Sequence, residues 1–252
     1  MYFMAQENTY KKIPIYEIFG PTIQGEGLHA GKRCMFVRVC GCNDHCSWCD
    51  SKFAWKIPPQ EEWMTEEAIF EAIKDKGCNT VILTGGNPCI WEFDNCVEFC
   101  HRSGIHVEVE TQGGAYPEWL KHVDLITFSP KAPSAGRQVQ DHRREFLNWL
   151  LAESNDLEVV IKIPVFNEDD IVFAQETFKI FRKDTPLHKL HNVYFYLSVG
   201  NKDTKSEGPI QDRILKDYLA LIETINNNPK GFEDVAILPQ IHTLIWGNKG
   251  GV

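Results

Sequence analysis

Three cysteines stand close together in one short segment of the chain. Cys42, Cys46 and Cys49 are separated by gaps of three and two residues. Thiolates on such short, flexible spacings hold iron–sulfur clusters. A 4Fe-4S cluster with only three thiolate ligands keeps one iron open, and an open iron can chelate the amino and carboxylate groups of S-adenosylmethionine. One electron from the cluster can then cleave a carbon–sulfur bond to give an adenosyl radical. The spacing therefore predicts a radical enzyme.

Two other kinds of site could use these thiols. Structural zinc prefers a closed tetrahedral arrangement, with Cys40 or His45 as the fourth ligand here, but such sites usually bring a second ligand pair from elsewhere in the chain. A thioredoxin-like redox pair at Cys46 and Cys49 would need a neighbouring βαβ unit and leaves the third thiol unexplained. The cluster is the favoured interpretation.

The remaining cysteines show no ligand spacing, and we interpret them as small core hydrophobes. The total of nine is odd, which argues against a fully paired disulfide framework. The cysteines interpreted as core hydrophobes are Cys34, Cys40, Cys78, Cys89, Cys96 and Cys100.

We expect a cytoplasmic protein, because no apolar stretch reaches the roughly 18 residues of a membrane-spanning helix and the first residues lack a secretion signal.

Composition and length are those of a globular domain. The chain has 252 residues, of which 43% are hydrophobic and 24% charged, so we expect one domain over residues 1–252. The formal net charge of -9 argues against direct nucleic-acid binding. Such binding draws its affinity from clustered Lys and Arg.

Short β-rich runs alternate with helix-like segments, which is typical of repeated βα units and a parallel sheet. Residues 158–163 are nearly continuous in apolar β-branched side chains, as expected for a strand covered on both faces. We therefore predict an α/β fold with a partial (β/α)6-type, TIM-like barrel. The predicted strands are 35–39, 80–83, 106–110, 125–128, 159–163, 193–197 and 235–238. The predicted helices are 65–76, capped by Thr65, then 93–102, 143–152, 169–182 and 212–225.

Several polar motifs directly follow predicted strands, where active sites of such barrels gather. They are residues 84–88, 110–113 and 129–131. The first contains Gly85 and Gly86, whose small size lets a ligand approach the backbone. Taken alone, each motif could also be a turn or a solvated loop.

Several residues near the cysteines allow more than one interpretation. Arg38 stands in an apolar run, where an arginine needs an anionic partner, and it either meets a ligand carboxylate or forms a surface salt bridge. The Ser51 hydroxyl could coordinate Mg2+, while Asp50 beside it could instead cap a helix. Trp48 either shields the cluster or is a core tryptophan.

The Cys-x3-Cys-x2-Cys motif, with an aromatic residue before its last cysteine, resembles the signature of the radical S-adenosylmethionine superfamily. Residues 17–27, Cys49-Asp50-Ser51 and residues 238–249 resemble the 7-carboxy-7-deazaguanine synthase family. The Gln-Gly-Glu-Gly and Cys-Asp-Ser sequences point to this family within the superfamily. The resemblance runs from about Pro14 to the C-terminus.

The resemblance implies a role for each motif. It implies three thiolate ligands for the cluster and a magnesium ion on Ser51, and it places Asn87 where the superfamily has an acid that binds the amino group of S-adenosylmethionine. The residues implied for this cofactor and the cluster surroundings are Trp48, Gly85, Gly86, Asn87, Glu110, Thr111, Gln112, Ser129 and Lys131. The residues implied for the substrate are Gln24, Glu26, Arg38, Thr84, Gln240 and His242.

The reaction implied by the resemblance converts 6-carboxy-5,6,7,8-tetrahydropterin to 7-carboxy-7-deazaguanine with release of ammonia, on the path to queuosine and related deazapurines. Flavodoxin or ferredoxin would supply electrons, and the protein would be a homodimer. A radical activating enzyme that modifies a partner protein is the alternative. It would need a wide docking surface in place of a closed pocket.

Overall fold

A computed structural model describes residues 11–137, 139–153, 157–206 and 208–252. Its strands are β1 Lys12–Ile13, β2 Ile15–Ile23, β3 Arg33–Val39, β4 Met64–Thr65, β5 Thr80–Gly85, β6 His106–Thr111, β7 Leu125–Phe128, β8 Glu158–Val165, β9 Val193–Val199 and β10 Val235–Leu238. Its α-helices are α1 Glu66–Ile73, α2 Asp94–Arg102, α3 Arg143–Ala152, α4 Glu168–Asp184, α5 Leu187–Leu190, α6 Gln211–Asn227 and α7 Ile241–Trp246.

The main sheet has eight strands in the order β10-β9-β8-β7-β6-β5-β3-β2. From β3 to β10 neighbouring strands are parallel, and β2 is added to one edge in antiparallel orientation. Each predicted strand and helix is present. The prediction of a partial, TIM-like α/β barrel is confirmed. No helix within the described ranges is both long and apolar enough to cross a membrane.

Strand β2 and the small ribbon in which β1 pairs with β4 are not predicted from the sequence. Strand β2 contains Gly20 and Pro21, and its register against β3 shifts between Phe19 and Thr22. Glycine and proline both weaken a strand pattern, and proline cannot donate to the ladder. The irregular part of β2 therefore had no period-two signal by which it could be found.

The helices cover the outer face of the sheet, and alternate side chains of each strand point towards them. On β6 these are Val107 and Val109, which belong to the buried apolar core. The helix α1 begins as predicted, since the Thr65 side chain accepts a hydrogen bond from the amide of Ala68 at 3.2 Å. The other face of each strand is left to line the inside of the barrel.

The inside of the barrel is polar at both ends of β6. His106, Glu108 and Glu110 alternate with the core valines, so all three occupy the inner face. The segment 24–32, called the 24–32 loop below, runs along this interior. A β-carbon at Gly27 in its middle would lie 3.8 Å from Val160 Cγ1 on the opposite wall.

Two segments that are distant in sequence meet at the open side of the sheet. The amide of Ile241, at the start of α7, donates to the carbonyl of Gly25 at 3.0 Å. A β-carbon at Gly25 would lie 2.2 Å from His242 Nδ1, so the observed position of the His242 ring depends on glycine here. The 24–32 loop and the C-terminal segment thereby form one wall of the cavity at the strand ends.

Candidate active site

A cavity of about 300 Å³ lies at the C-terminal ends of the parallel strands. This is the end where barrel enzymes place their active sites. It contains side chains from both ends of the chain. Among the described residues, the site residues predicted from the sequence all line it except Asn87. The lining ones are Gln24, Glu26, Arg38, Cys42, Cys46, Trp48, Cys49, Ser51, Thr84, Gly85, Gly86, Glu110, Thr111, Gln112, Ser129, Lys131, Gln240 and His242.

The cysteine loop, residues 40–51, follows β3 and is held against the end of β5. The amide of Asn87 donates to the carbonyl of Gly41 at 2.8 Å. A β-carbon at Gly86 would lie 1.8 Å from the same carbonyl oxygen. Glycine is therefore required at position 86 for the close approach of two backbone segments. The sequence predicts that a ligand approaches this glycine, whereas the structure places the backbone of the cysteine loop there.

The three cysteine side chains of this loop fit an iron–sulfur cluster. Cys42, Cys46 and Cys49 are free thiols that line one cavity, and soft thiolates are the donors such clusters require. Burial raises the pKa of Cys46 to about 11 and also raises the pKa values of Cys42 and Cys49. Metal ligands must be deprotonated, so cluster binding here releases protons. The Gln112 amide donates to Cys42 Sγ at 3.3 Å.

Trp48 forms a side wall of the cavity. Its ring stacks on Phe166 with centroids 4.6 Å apart, and its indole nitrogen donates to Ser134 Oγ at 3.0 Å. The Lys131 ammonium lies 5.7 Å from the ring centroid. The tryptophan thus joins the cysteine loop, to which it belongs, to the segments after β7 and β8.

Asn87 lies behind the cavity wall and is fully buried. Its Oδ1 accepts from Thr111 Oγ1 at 2.9 Å, and its Nδ2 donates to Asn43 Oδ1 at 2.9 Å and to the carbonyl of Gly113 at 3.1 Å. These contacts brace the end of β5 against the end of β6 and the cysteine loop. Contact between Asn87 and S-adenosylmethionine stays a prediction.

A buried ion pair also lines the cavity. Glu26 Oε2 accepts from Lys162 Nζ, and Glu26 Oε1 accepts from Gln240 Nε2 at 2.6 Å. Burial favours the neutral acid, but the charge of Lys162, supported by His242, outweighs it and lowers the pKa of Glu26 to about 2. Burial likewise opposes the charge of Lys162, yet Glu26 and Glu110 raise its pKa. Both groups are therefore charged at neutral pH.

Lys162 was not identified from the sequence, although a signal for it exists. It is the one charged residue inside the otherwise apolar sequence of residues 159–165 on β8. Lysine is almost never fully buried unless it is paired. A lysine in a strand covered on both faces therefore indicates an acidic partner inside the barrel.

Glu110 connects two of the predicted substrate residues. Its carboxylate accepts from Gln24 Nε2 at 3.2 Å and from Thr84 Oγ1 at 2.7 Å. Lys162 Nζ lies 3.9 Å from Glu110 Oε1. The side chains of the 24–32 loop, β5, β6 and β8 thus form one continuous polar network on the cavity floor.

Arg38 has an anionic partner within the protein. Its Nε donates to Glu17 Oε1 at 2.9 Å, and its Nη1 donates to Ser51 Oγ at 3.1 Å. Ser51 Oγ in turn donates to Asp50 Oδ1 at 3.1 Å. Glu17 on β2 was not assigned a role from the sequence. The arrangement holds the Ser51 hydroxyl and the Asp50 carboxylate together at the mouth of the cysteine loop.

Comparison with known proteins agrees with this geometry. The sequence model of the Radical SAM superfamily matches residues 36–149. A 7-carboxy-7-deazaguanine synthase of Bacillus subtilis (strain 168) is 38% identical over 251 residues, covering 96% of this chain and 99% of that protein. A 7-carboxy-7-deazaguanine synthase of Bacillus cereus is 36% identical over 249 residues, with 96% and 99% covered.

Among solved structures, the crystal structure of QueE from Escherichia coli is similar to this chain. It superimposes with a TM-score of 0.63 and 23% sequence identity, and the match covers 92% of this chain and 95% of that one. This likeness concerns the fold. It extends over nearly the whole of both chains.

Proposed function

The chain belongs to the 7-carboxy-7-deazaguanine synthase family of radical S-adenosylmethionine enzymes, and we propose that it converts 6-carboxy-5,6,7,8-tetrahydropterin to 7-carboxy-7-deazaguanine with release of ammonia. This step belongs to deazapurine biosynthesis, including that of queuosine. The observation that carries the proposal is a cavity lined both by three free thiols and by the Glu26–Lys162 pair.

The thiols of Cys42, Cys46 and Cys49 would hold the cluster required by this superfamily. A 4Fe-4S cluster and bound S-adenosylmethionine supply an adenosyl radical by one-electron cleavage of a carbon–sulfur bond. The protein side chains orient the reactants and exclude water. The residues proposed to position S-adenosylmethionine are Gly85, Gly86, Asn87, Glu110, Thr111, Gln112, Ser129 and Lys131, with Trp48 as the cover of the cluster.

The substrate would lie against the Glu26 side of the cavity. Glu26 and Gln24 offer an acceptor and an amide for the ring edge of a pterin, and Gln240 and His242 approach from the C-terminal segment. Arg38 would pair with the substrate carboxylate, because its guanidinium fork matches a carboxylate. We add Lys162 to this set, since it keeps Glu26 ionised and thus an acceptor only.

We propose that Mg2+ binds at Ser51. Magnesium prefers oxygen ligands and often combines few protein groups with water and substrate anions. Ser51 Oγ and Asp50 Oδ1 lie 3.1 Å apart beside the cavity, which supports this proposal. An ion here would lie between the last cluster cysteine and Arg38, where a substrate carboxylate could reach it.

The remaining proposals concern the whole protein. We propose that residues 1–252 act as one domain, that the protein is a cytoplasmic homodimer, and that flavodoxin or ferredoxin reduces the cluster. The nine free cysteines support a reducing compartment. The mass in solution, measured by light scattering, tests the dimer.

Anaerobic reconstitution followed by a substrate assay tests the proposed reaction. Incubation with the carboxypterin, S-adenosylmethionine and a reductant should give the deazaguanine product by mass spectrometry without any protein substrate. Cys46→Ala should abolish cluster iron and product and leave the far-ultraviolet circular dichroism unchanged. Cys40→Ala, at a buried cysteine outside the cavity lining, is the matched control. Full iron content in Cys46→Ala would contradict the ligand assignment.

A further inference from the structure

A second cluster of metal-ligating side chains lies at the other end of the barrel interior. His106 begins β6, whereas Glu110, near its end, lines the cavity. At about 3.3 Å per residue, these two positions are roughly 13 Å apart. His29 from the 24–32 loop and Glu108 from the middle of β6 complete the cluster. The described residues contain no other group of three or more His, Cys, Asp or Glu side chains so arranged.

The ligand atoms of the cluster already converge on one point. His29 Nδ1 lies 2.7 Å from Glu108 Oε1, and His106 Nε2 lies 3.5 Å from the same oxygen. The three ligand atoms all lie within 4.8 Å of one another. Tetrahedral zinc with bonds of about 2.0–2.2 Å separates its ligands by about 3.3 Å. Small rotations of these side chains would therefore bring the three ligand atoms to the separations found around zinc.

His106 is oriented for a ligand in the way that metal-binding histidines usually are. Its Nδ1 faces Asp124 Oδ2 at 3.6 Å, and Asp124 is fixed by the amide of Val107 at 2.7 Å. The other ring atom, Nε2, is buried and has no hydrogen-bond partner within the described part of the chain. A carboxylate behind one ring nitrogen and an unused second nitrogen are the usual surroundings of a zinc-bound histidine.

The charges around the cluster are compatible with a divalent cation. A histidine ligates through its neutral imidazole, which adds no positive charge to the cluster. The Glu108 side chain is only 4% exposed and supplies a carboxylate oxygen. Lys32 Nζ is 3.8 Å from Glu108, but its side chain is 37% exposed and can turn into solvent. His29 and His106 are 25% and 28% exposed, which leaves an entry path.

We propose that His29, His106 and Glu108 bind a divalent transition-metal ion of the Zn2+ class, with solvent in the fourth position. Two imidazoles and one carboxylate are a common ligand set for this class. The ion would join the 24–32 loop to β6. It would therefore anchor the 24–32 loop, which carries Gln24 and Glu26, at the end of the barrel interior away from the cavity. The ion itself would not contact the cavity.

Zinc binding to the cluster-loaded protein tests this proposal. After anaerobic reconstitution, so that the cysteine loop is occupied, the protein is titrated with Zn2+ against a chromophoric chelator. The expected result is one zinc per chain in addition to the cluster iron. His29→Gln and His106→Gln should each weaken zinc binding more than about 10-fold. His101→Gln, which alters a partly exposed histidine that also contacts Asp124, should bind zinc like the wild type.

X-ray absorption at the zinc edge identifies the ligands independently of activity. Nitrogen and oxygen neighbours at about 2.0–2.1 Å are expected. Zinc should also raise Tm of the wild-type holoenzyme and leave Tm of His29→Gln unchanged, since a ligand that binds only the folded state stabilises it. Sulfur neighbours, no bound zinc, or equal binding by the wild type and both histidine variants would overturn the proposal.

Discussion

Glu26 and Lys162 form an ion pair whose side chains are only 12% and 10% exposed. Taking both charges out of water costs free energy, which their attraction and the hydrogen bond from Gln240 offset. Because such a pair contributes little net stability compared with an apolar pair, its presence in the cavity floor points to a role in binding. It presents a fixed carboxylate to the cavity at every pH near neutrality.

Lys162→Met should destabilise the protein by about 3 kcal/mol, because Glu26, whose side chain is only 12% exposed, loses its cation. Urea unfolding of the cluster-free protein measures this change. In the double variant Lys162→Met with Glu26→Gln, a large part of the loss should be recovered, since the uncompensated carboxylate is gone. If the two substitutions simply add, the side chains are not coupled and the description of the pair is wrong.

The same pair predicts how stability responds to acid. The pKa of Glu26 is lowered from 4.5 to about 2 in the folded protein. An acid whose pKa is lowered by folding stabilises the folded protein. This stability is fully present above the pKa of the unfolded state and is lost as pH falls through the pKa of the folded state. Between about pH 5 and pH 2 the wild type should therefore lose more free energy of unfolding than Glu26→Gln. Parallel pH profiles of the two proteins would refute this assignment.

At the scale of elements, the cysteine loop is positioned by backbone contacts with the end of β5. Gly86 contributes space, and the amide of Asn87 contributes a hydrogen bond to the carbonyl of Gly41. The Asn87 side chain then ties the cysteine loop to β6 through Asn43 and Thr111. The sheet thus holds the cysteine loop through neighbouring residues that are not themselves the predicted cluster ligands.

Gly86→Ala should disturb this junction, because the added carbon would meet a backbone oxygen at 1.8 Å and backbone cannot turn aside as a side chain can. We expect destabilisation of about 1–3 kcal/mol or more, together with reduced iron content after reconstitution. Gly208→Ala is the control, since its added carbon would be 3.7 Å from Ser206 Oγ. Normal iron content and stability in Gly86→Ala would show that the cysteine loop is placed by other contacts.

At the scale of the whole molecule, the sequence predicted what depends on local pattern. The parallel strands and their helices were found because each has its own apolar periodicity. The contact of Ile241 with Gly25 could not be found, since it joins segments more than 200 residues apart through backbone groups that carry no sequence signal. Lys162 could be predicted only in part. Its charge within an apolar strand is visible in the sequence, whereas its pairing with Glu26 is not.

The cavity mouth is completed by another long-range contact, at Asn248. The Asn248 side chain accepts from Asn201 Nδ2 at 2.7 Å and donates to the carbonyls of Asp203 and Ser206 at 2.9 and 2.8 Å. Asn201 and Asn248 both line the cavity. These bonds attach the loop after β9 to the C-terminal segment.

Asn248→Ala should separate the loop after β9 from the C-terminal segment. Three hydrogen bonds disappear and the amide of the buried Asn201 is left without its partner, which costs about 1–3 kcal/mol locally. Hydrogen exchange in residues 201–206 should become faster, and KM for the pterin should rise several-fold while cluster iron stays constant. Asn226→Ala, at an exposed position of α6, should change none of these. Unaltered exchange in Asn248→Ala would mean that the loop after β9 is held without the C-terminal segment.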